Sequence, residues 1–290
     1  MTGGPDRLRR LGVFRHRLKR VADQARVRNV LVYDNVAILA ERYGPGPGLA
    51  SFELKVFSQN GEDGVLAEIF HRIGTTTRWF VEFGIGAGLE GNSVLLADVH
   101  RWSGLFIEGS PELFTDLAWK YSATEEVATV EALVDAANVE DLFRAAGVPE
   151  EPDLLSVDID GNDYWVWQAI EGFRPRVVVC EYNGLIDPAA RLVQPYDPDR
   201  GWDGTDYYGA SLGAVADLGE AKGYRLVHTD LTGTNAFFVR ADLAGPFSDC
   251  EPVRRRRATV AFTDFRHTPD HLGRSYVVPD PHGPPIRRPE

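Results

Sequence analysis

Apolar and polar positions follow two alternating periodicities along the middle of the chain. Short apolar runs such as WFVEF and RVVVCE are rich in β-branched and aromatic residues, which is typical of strands covered on both faces. Apolar residues at helical spacing lie between these runs and predict helices. The predicted strands cover 79–83, 104–107, 127–134, 154–158 and 176–181, and the predicted helices lie within 58–74, 91–101, 111–120, 138–146 and 163–171.

The pattern changes after residue 211. A predicted helix over 211–222 leads to YRLVHTD and then to NAFFVRA, two strand-like runs joined by the short turn LTGT. A turn of this length favours an antiparallel hairpin, whereas the earlier alternation of strand and helix favours parallel pairing. The sequence therefore predicts an α/β fold: a doubly wound, Rossmann-like, seven-stranded sheet that closes with an antiparallel hairpin.

The two ends of the chain differ from this body. Helical spacing over 6–27 and 29–43 predicts an N-terminal helical extension within residues 1–50, ahead of a body at 51–245. We expect the extension to pack on the body or on a second copy of the chain, forming a homo-oligomer; a basic helix resting on a membrane surface is the alternative. The tail, 246–290, is rich in proline and arginine, includes RRRR at 254–257, and is expected to be extended.

The charge and the cysteine content of the chain indicate which classes of partner and which cellular compartment to expect. The net charge is −12, but residues 1–30 carry +7, which leaves −19 on the remainder. An acidic body argues against nucleic acid as a partner. The chain lacks an apolar run of about 18 residues and a signal-peptide core, and its two cysteines do not form a disulfide framework. These features predict a cytoplasmic protein without a transmembrane segment.

The stretch FVEFGIGAGLEGNS, residues 80–93, contains two overlapping glycine patterns. Read from Gly86, it is a G-x-G-x-x-G loop for a dinucleotide, but that register places Glu90 where a pyrophosphate would lie. Read from Gly84 through Gly86 to Gly88, it is a G-x-G-x-G loop that follows the strand directly. The second register favours a nucleoside without phosphate, although a glycine turn that binds no nucleoside is the alternative.

Carboxylates near this loop favour a cationic methyl donor, S-adenosylmethionine. That molecule carries an ammonium, a sulfonium and a ribose, so acidic side chains suit it. Glu82 lies near the end of the first strand, and Glu108 lies 24 residues after Gly84, where a carboxylate can accept both ribose hydroxyls. Because an NAD-binding fold uses an acid at the same place, Glu108 does not separate the two ligands.

A dense acidic cluster, DIDGND, follows the fourth predicted strand. It lacks the glycine and glutamate that a calcium loop requires. Asp160, Glu181 and Asn183 are expected at neighbouring strand ends, where their oxygens would form a Mg²⁺ site that lowers the pKa of a bound hydroxyl. The alternative is that Asp158 contacts the donor and the other groups cap helices.

Two residues are candidates for the catalytic step, Asp160 and His228. His228 could act as a general base near neutral pH, although histidines at strand ends are commonly structural. The loop YDPDRGWDGTDYYGAS is long, aromatic and polar, which is typical of a substrate lid.

The chain resembles the FkbM-like class I methyltransferases in FSQNGEDGVLAEIF, FVEFGIGAGLEGNS, GLFIEGSP, DLLSVDIDGNDYWVW, PRVVVCEYN and NAFFV, which span about 57–239. The resemblance implies an S-adenosylmethionine-dependent O-methyltransferase that acts on a hydroxyl of a sugar, a glycan or a natural product. An N-methyltransferase and a non-catalytic nucleoside-binding scaffold are the alternatives. The resemblance to the FkbM-like family also implies which residues contact the donor. The methionine part would be contacted by Glu82, Gly84, Gly86 and Gly88, and its amino end by Asp158. The ribose would be contacted by Glu108 and the adenine by Leu133 and Val134, while Gln59 and Asp63 would reach the same pocket or cap a helix.

The magnesium expectation draws on a different resemblance, to the macrocin-type and cephalosporin-hydroxylase-like methyltransferases. Those proteins place acidic ligands after strands four and five. This chain matches in part, because Asn183 stands where a second acid is expected. The basic front and the tail lie outside both resemblances.

Overall fold

The computed structural model describes residues 48–199, 201–248, 250 and 269–286. Within these ranges the chain forms one seven-stranded sheet with helices on both faces. The strands are β1 (Trp79–Phe83), β2 (Ser103–Glu108), β3 (Val127–Glu131), β4 (Leu154–Val157), β5 (Val177–Glu181), β6 (Tyr224–Thr229) and β7 (Asn235–Arg240). The α-helices are α1 (Glu62–Ile73), α2 (Val94–Asp98), α3 (Pro111–Tyr121), α4 (Val139–Ala145), α5 (Asp163–Ala169) and α6 (Leu212–Ala221).

The strand order is β3-β2-β1-β4-β5-β7-β6. The first five strands pair in parallel, and β7 lies antiparallel between β5 and β6. This arrangement confirms the α/β, doubly wound sheet with its closing hairpin. β1 lies between β2 and β4, so the chain changes winding direction at β1, where open α/β sheets bind their ligands.

Helices cover both faces of the sheet, which explains the uninterrupted apolar strands. Val81 and Phe83 pack in one buried cluster and Phe80 packs in the other, as the alternation of side chains along a strand requires. All five residues of β5 are buried. The apolar runs thus mark the central strands correctly.

Two predicted boundaries were too long. β3 ends at Glu131 rather than at 134, because Asn138 accepts a hydrogen bond from the amide of Asp135 and turns the chain into α4. The helix predicted over 91–101 covers only Val94–Asp98, because the carboxylate of Glu82 accepts the amides of the two residues before it. Both differences come from side chains that bind backbone amides and end regular structure.

Asp153 lies just before β4 and holds the loop that precedes β1 at the amino-terminal edge of the sheet. Its buried carboxylate accepts the amides of 76–78 at 2.6–3.1 Å and pairs with Arg176 at 2.8 Å. Arg176 in turn donates to the carbonyls of Ile73 and Gly74 at the end of α1. The loop between α1 and β1 is therefore attached to β4 and β5 by charge-assisted hydrogen bonds.

The described part of the tail, 269–286, packs on the body. Val277 forms an antiparallel bridge with Val193, and Arg274 stacks on Tyr207 at 4.3 Å. Tyr207 and Tyr208 are buried beneath this segment, so their rings are not exposed for stacking on a substrate. The N-terminal helices predicted over 6–43, their oligomer contact and the arginine run at 254–257 lie outside the described residues. Among the helices that the structure describes, none is long and apolar enough to cross a membrane.

Candidate functional site

A cavity of about 260 Å³ opens at the carboxyl ends of β1 and β4. Most residues of the glycine loop, 84–91, line it, together with the first residues of α1 and β7. The polar side chains that line it are four acids and three amides: Glu62, Glu82, Glu90, Asp158, Gln59, Asn92 and Asn235.

Gly84 allows the loop to leave β1 where it does. Its φ is +76°, in the left-handed region. A Cβ at this position would lie 1.7 Å from the carbonyl oxygen of Asp158, so the ends of β1 and β4 approach too closely for any side chain. Gly86 and Gly88 also have positive φ, +62° and +69°. The G-x-G-x-G register therefore coincides with three left-handed backbone positions.

Glu82 binds the backbone just after the C-terminal end of the glycine loop. Its carboxylate accepts the amides of Asn92 at 2.8 Å and Ser93 at 2.7 Å, and its side chain is almost fully buried. Burial raises its pKa to about 7, against the opposing effect of the two amides. The group is thus poised to lose a proton when a positive charge enters the cavity.

Glu108, at the end of β2, binds the N-terminal part of the glycine loop. Its two oxygens accept the amides of Gly86 at 2.6 Å and Ser110 at 2.7 Å. Of the two residues expected near adenine, Leu133 is 72% exposed and packs against Gly109, whereas Val134 is partly buried in the core. Glu108, Leu133 and Val134 thus lie at or just after the neighbouring carboxyl ends of β2 and β3, and none of them is among the residues that line the cavity.

The acidic cluster after β4 lies against β5. Carboxylate oxygens of Asp158, Asp163 and Glu181 all lie within 4.8 Å of one another. Burial, then the charge of Asp160, raises the pKa of Asp158 well above its usual range, and burial raises that of Asp163 to about 6. Asp160 itself is exposed, adopts a left-handed φ of +58° and is not among the residues that line the cavity. Partial desolvation by the surrounding protein, followed by the charge of Glu108, raises its pKa.

This acidic set differs from the magnesium ligands expected from the sequence and shares only Glu181 with them. Asn183 is engaged elsewhere: its amide group donates to the carbonyls of Asp206 and Tyr208, and its oxygen accepts the amide of Leu185. It thereby fixes the loop ahead of α6. Because these contacts occupy Asn183, the residues do not fit the expected ligand set, and we derive no step through a metal.

His228 lies within β6, buried against Phe237. Its Nε2 is 2.9 Å from Glu53 Oε1, and Glu53 also accepts the amide of Leu231. The pair ties the segment before α1 to the hairpin. His228 is not among the residues that line the cavity.

Gln59 and Asp63 were expected to reach the pocket or to cap a helix, and in the structure the two residues have different positions. Gln59 is exposed and lines the cavity. Asp63 lies in the first turn of α1, where its Oδ2 accepts the amides of residues 56–58 at 2.7–2.8 Å. The same oxygen of Asp63 also accepts a hydrogen bond from the Ser58 hydroxyl, so Asp63 shapes the turn that carries Gln59.

Four of the polar lining residues, Glu62, Glu90, Asn92 and Asn235, are not among the site residues expected from the sequence. The sequence pattern predicts a helix that includes Glu62 and a strand that starts at Asn235. Glu62 accepts the side-chain amide of Asn235 at 2.8 Å. The position of Asn235 follows from the antiparallel pairing of β5 and β7. The first residue of β7, Asn235, lies opposite the last residue of β5, Glu181, at the edge of the sheet that binds the ligand.

The charge of the lining limits what can bind. Four carboxylates line the cavity, and the described lining includes no lysine, arginine or histidine. A phosphate or pyrophosphate would find no basic side chain among these described lining residues and would meet like charge on each acid that is ionised, which is costly. A ligand with a positive charge and hydrogen-bond donors is favoured.

No family model matches the chain, and no match is found among curated proteins. Solved structures are similar at low identity. A putative O-methyltransferase from Klebsiella pneumoniae is 15% identical, with 74% of this chain and 99% of that chain covered and a TM-score of 0.43. A fibrillarin pre-rRNA processing protein from Methanococcus jannaschii is 12% identical, with coverages of 69% and 86% and a TM-score of 0.42. The N-terminal domain of EvdMO1 with bound S-adenosylhomocysteine is 14% identical, with coverages of 68% and 84% and a TM-score of 0.38. Similarity at this level does not establish a function.

Proposed function

We propose that this protein is an S-adenosylmethionine-dependent O-methyltransferase that acts on a hydroxyl of a sugar, a glycan or a natural product. The observation that carries the proposal is the cavity beside the glycine loop, lined by four carboxylates without a basic side chain. S-adenosylmethionine is a nucleoside with two cationic centres and no phosphate. Its charge and hydrogen-bond donors match this lining, whereas those of a dinucleotide do not.

The residues present fit the donor in three respects. Gly84 and Gly86 both line the cavity, and the absence of a side chain at Gly86 leaves open space beside the backbone of the loop. Glu108 would accept the ribose hydroxyls, and Glu82 and Asp158 would lie beside the methionine part, which carries an ammonium, a carboxylate and the positively charged sulfur. The donor supplies a methyl group on a positively charged sulfur. The protein would hold sulfur and acceptor oxygen in line and exclude water from between them.

A hydroxyl acceptor needs a group that takes its proton, because a hydroxyl stays protonated at neutral pH. Asp160 is the candidate base: it follows β4 on a strained left-handed backbone, and its pKa is raised. A transfer screen with isotope-labelled S-adenosylmethionine over sugars, polyketides and amines tests the acceptor class. Labelling of amines without hydroxyl compounds would contradict the O-methyltransferase assignment.

Calorimetry tests the donor assignment directly. We expect S-adenosylhomocysteine to bind the full chain with a micromolar dissociation constant, about −8 kcal/mol, and NAD not to bind. The physical reason is the repulsion between a pyrophosphate and the acidic lining. Binding of NAD with comparable affinity would refute the donor proposal.

Removing the carboxylate of Glu108 tests the ribose contact. The Glu108→Ala variant is expected to bind S-adenosylhomocysteine about 10- to 100-fold more weakly, because it loses the acceptor for the ribose and releases the amide of Gly86. Glu131→Ala is the matched control: Glu131 ends β3 in register with Glu108 but is exposed. Isothermal titration of both variants gives the comparison, and equal affinities would contradict the assignment.

A further inference from the structure

The side chain of Asn235 presents a hydrogen-bond acceptor that the fold does not use. Asn235 is the first residue of β7, lines the cavity and is 3% exposed. One terminal atom of its amide lies 2.8 Å from Glu62 Oε1. That atom is the amide nitrogen Nδ2, which donates the hydrogen bond that Glu62 Oε1 accepts. The carbonyl oxygen Oδ1 therefore points away from Glu62, and it is buried with no hydrogen-bond partner among the described residues.

Glu62 holds Asn235 in this orientation. It is fully buried at the first position of α1, where its Oε2 accepts the amide of Asn60 at 2.6 Å. The side chain of Asn60 also donates to Oε1, at 3.3 Å. The pair is thus anchored from the helix and from the strand. A buried polar atom without a partner is unfavourable, and in a cavity its natural partner is a donor on a ligand.

We propose that Asn235 and Glu62 form the subsite for the ammonium group at the amino acid end of the donor. The inference rests on the proposed function, because it concerns the same cavity. Asn235 would accept one ammonium hydrogen through Oδ1, and the carboxylate of Glu62 would supply the opposite charge. These residues come from α1 and β7, and both line the cavity together with the glycine loop.

The test compares two ligands that differ in the amino acid part. S-adenosylhomocysteine carries it, and 5′-methylthioadenosine has the nucleoside and sulfur without it. In isothermal titration of the full chain, Asn235→Ala is expected to weaken S-adenosylhomocysteine about 10- to 100-fold, the usual effect of one hydrogen bond to a charged group. The same variant should change the affinity for 5′-methylthioadenosine by less than about twofold, because that ligand does not reach the subsite.

Two further variants complete the design. Glu62→Gln keeps the size of the side chain and the oxygen that Asn235 donates to, but removes the charge; it should weaken S-adenosylhomocysteine about tenfold and leave 5′-methylthioadenosine unchanged. Thr234→Ala is the control, because Thr234 precedes Asn235 and is buried but does not line the cavity. Its two affinities should equal those of the wild type.

Each outcome decides one question. If neither ligand binds the wild type, the proposed function fails. If S-adenosylhomocysteine binds the wild type but Asn235→Ala leaves the ratio of the two affinities unchanged, the subsite is overturned while the donor assignment stands. If circular dichroism shows that Asn235→Ala is unfolded, Glu62→Gln decides by the same ratio.

Discussion

Replacing Gly84 with alanine is expected to lower the free energy of unfolding by more than about 4 kcal/mol, and to abolish binding of S-adenosylhomocysteine. Two effects add. The left-handed backbone at φ +76° disfavours any L-residue by about 1–2 kcal/mol. The new Cβ would also lie 1.7 Å from the carbonyl oxygen of Asp158, and this contact is relieved only by separating β1 from β4. Urea unfolding followed by circular dichroism measures the change.

Gly147→Ala is the matched control. Gly147 follows α4 at a φ of +72°, and a Cβ there meets nothing within 4 Å. It should therefore lose only the backbone term, about 1–2 kcal/mol, and retain ligand binding. Equal destabilisation by the two substitutions would show that the close approach of Asp158 has no energetic weight.

Replacing Glu82 with glutamine is expected to change how stability depends on pH. Burial raises the pKa of Glu82 from 4.5 to about 7 in the folded protein. Between these values the folded state retains a proton that the unfolded chain has lost, so the free energy of unfolding falls as pH rises. The contribution is fully present below pH 4.5 and is lost as the pH rises through about 7. Over this range it amounts to about 3 kcal/mol.

The measurement is urea unfolding of both proteins without ligand from pH 5 to pH 8. The difference in free energy of unfolding, wild type minus Glu82→Gln, should fall by about 3 kcal/mol across the range. Subtraction removes groups that titrate in both proteins, such as Asp163. Parallel curves would mean that Glu82 ionises normally. Because an ammonium group favours an ionised carboxylate beside it, S-adenosylhomocysteine, which carries an ammonium at its amino acid end, should also release protons from the wild type at pH 6 and fewer from the variant.

Most of the sheet was predictable because its signals are local. The central strands are apolar runs covered on both faces, and the run of β1 stops at Gly84, where the backbone turns into the left-handed region. The short turn before Asn235 likewise favours a hairpin. Boundaries failed where a distant side chain took over backbone amides, as Glu82 does ahead of α2.

The candidate site was predictable only at strand ends. Glu82, Glu108 and Asp158 follow or end parallel strands, so topology alone brings them to one edge. The pairings of His228 with Glu53 and Asn183 with the loop at 206–208 join residues far apart in sequence. Such contacts depend on how loops fold back on the sheet, which no local periodicity encodes.

By itself, the sequence determined the alternation of strands and helices, the closing hairpin, the position of the glycine loop after the first strand and the acidic character of the strand ends. Each follows from a residue's own preferences or from its immediate neighbours. Only the tertiary structure decided which acids line the cavity, that Asp63 and Asn183 shape loops, and that Glu62 meets Asn235 across 173 residues of chain. The reason is physical: burial and hydrogen-bond partners set the chemistry of a side chain, and both arise only when separate segments pack together.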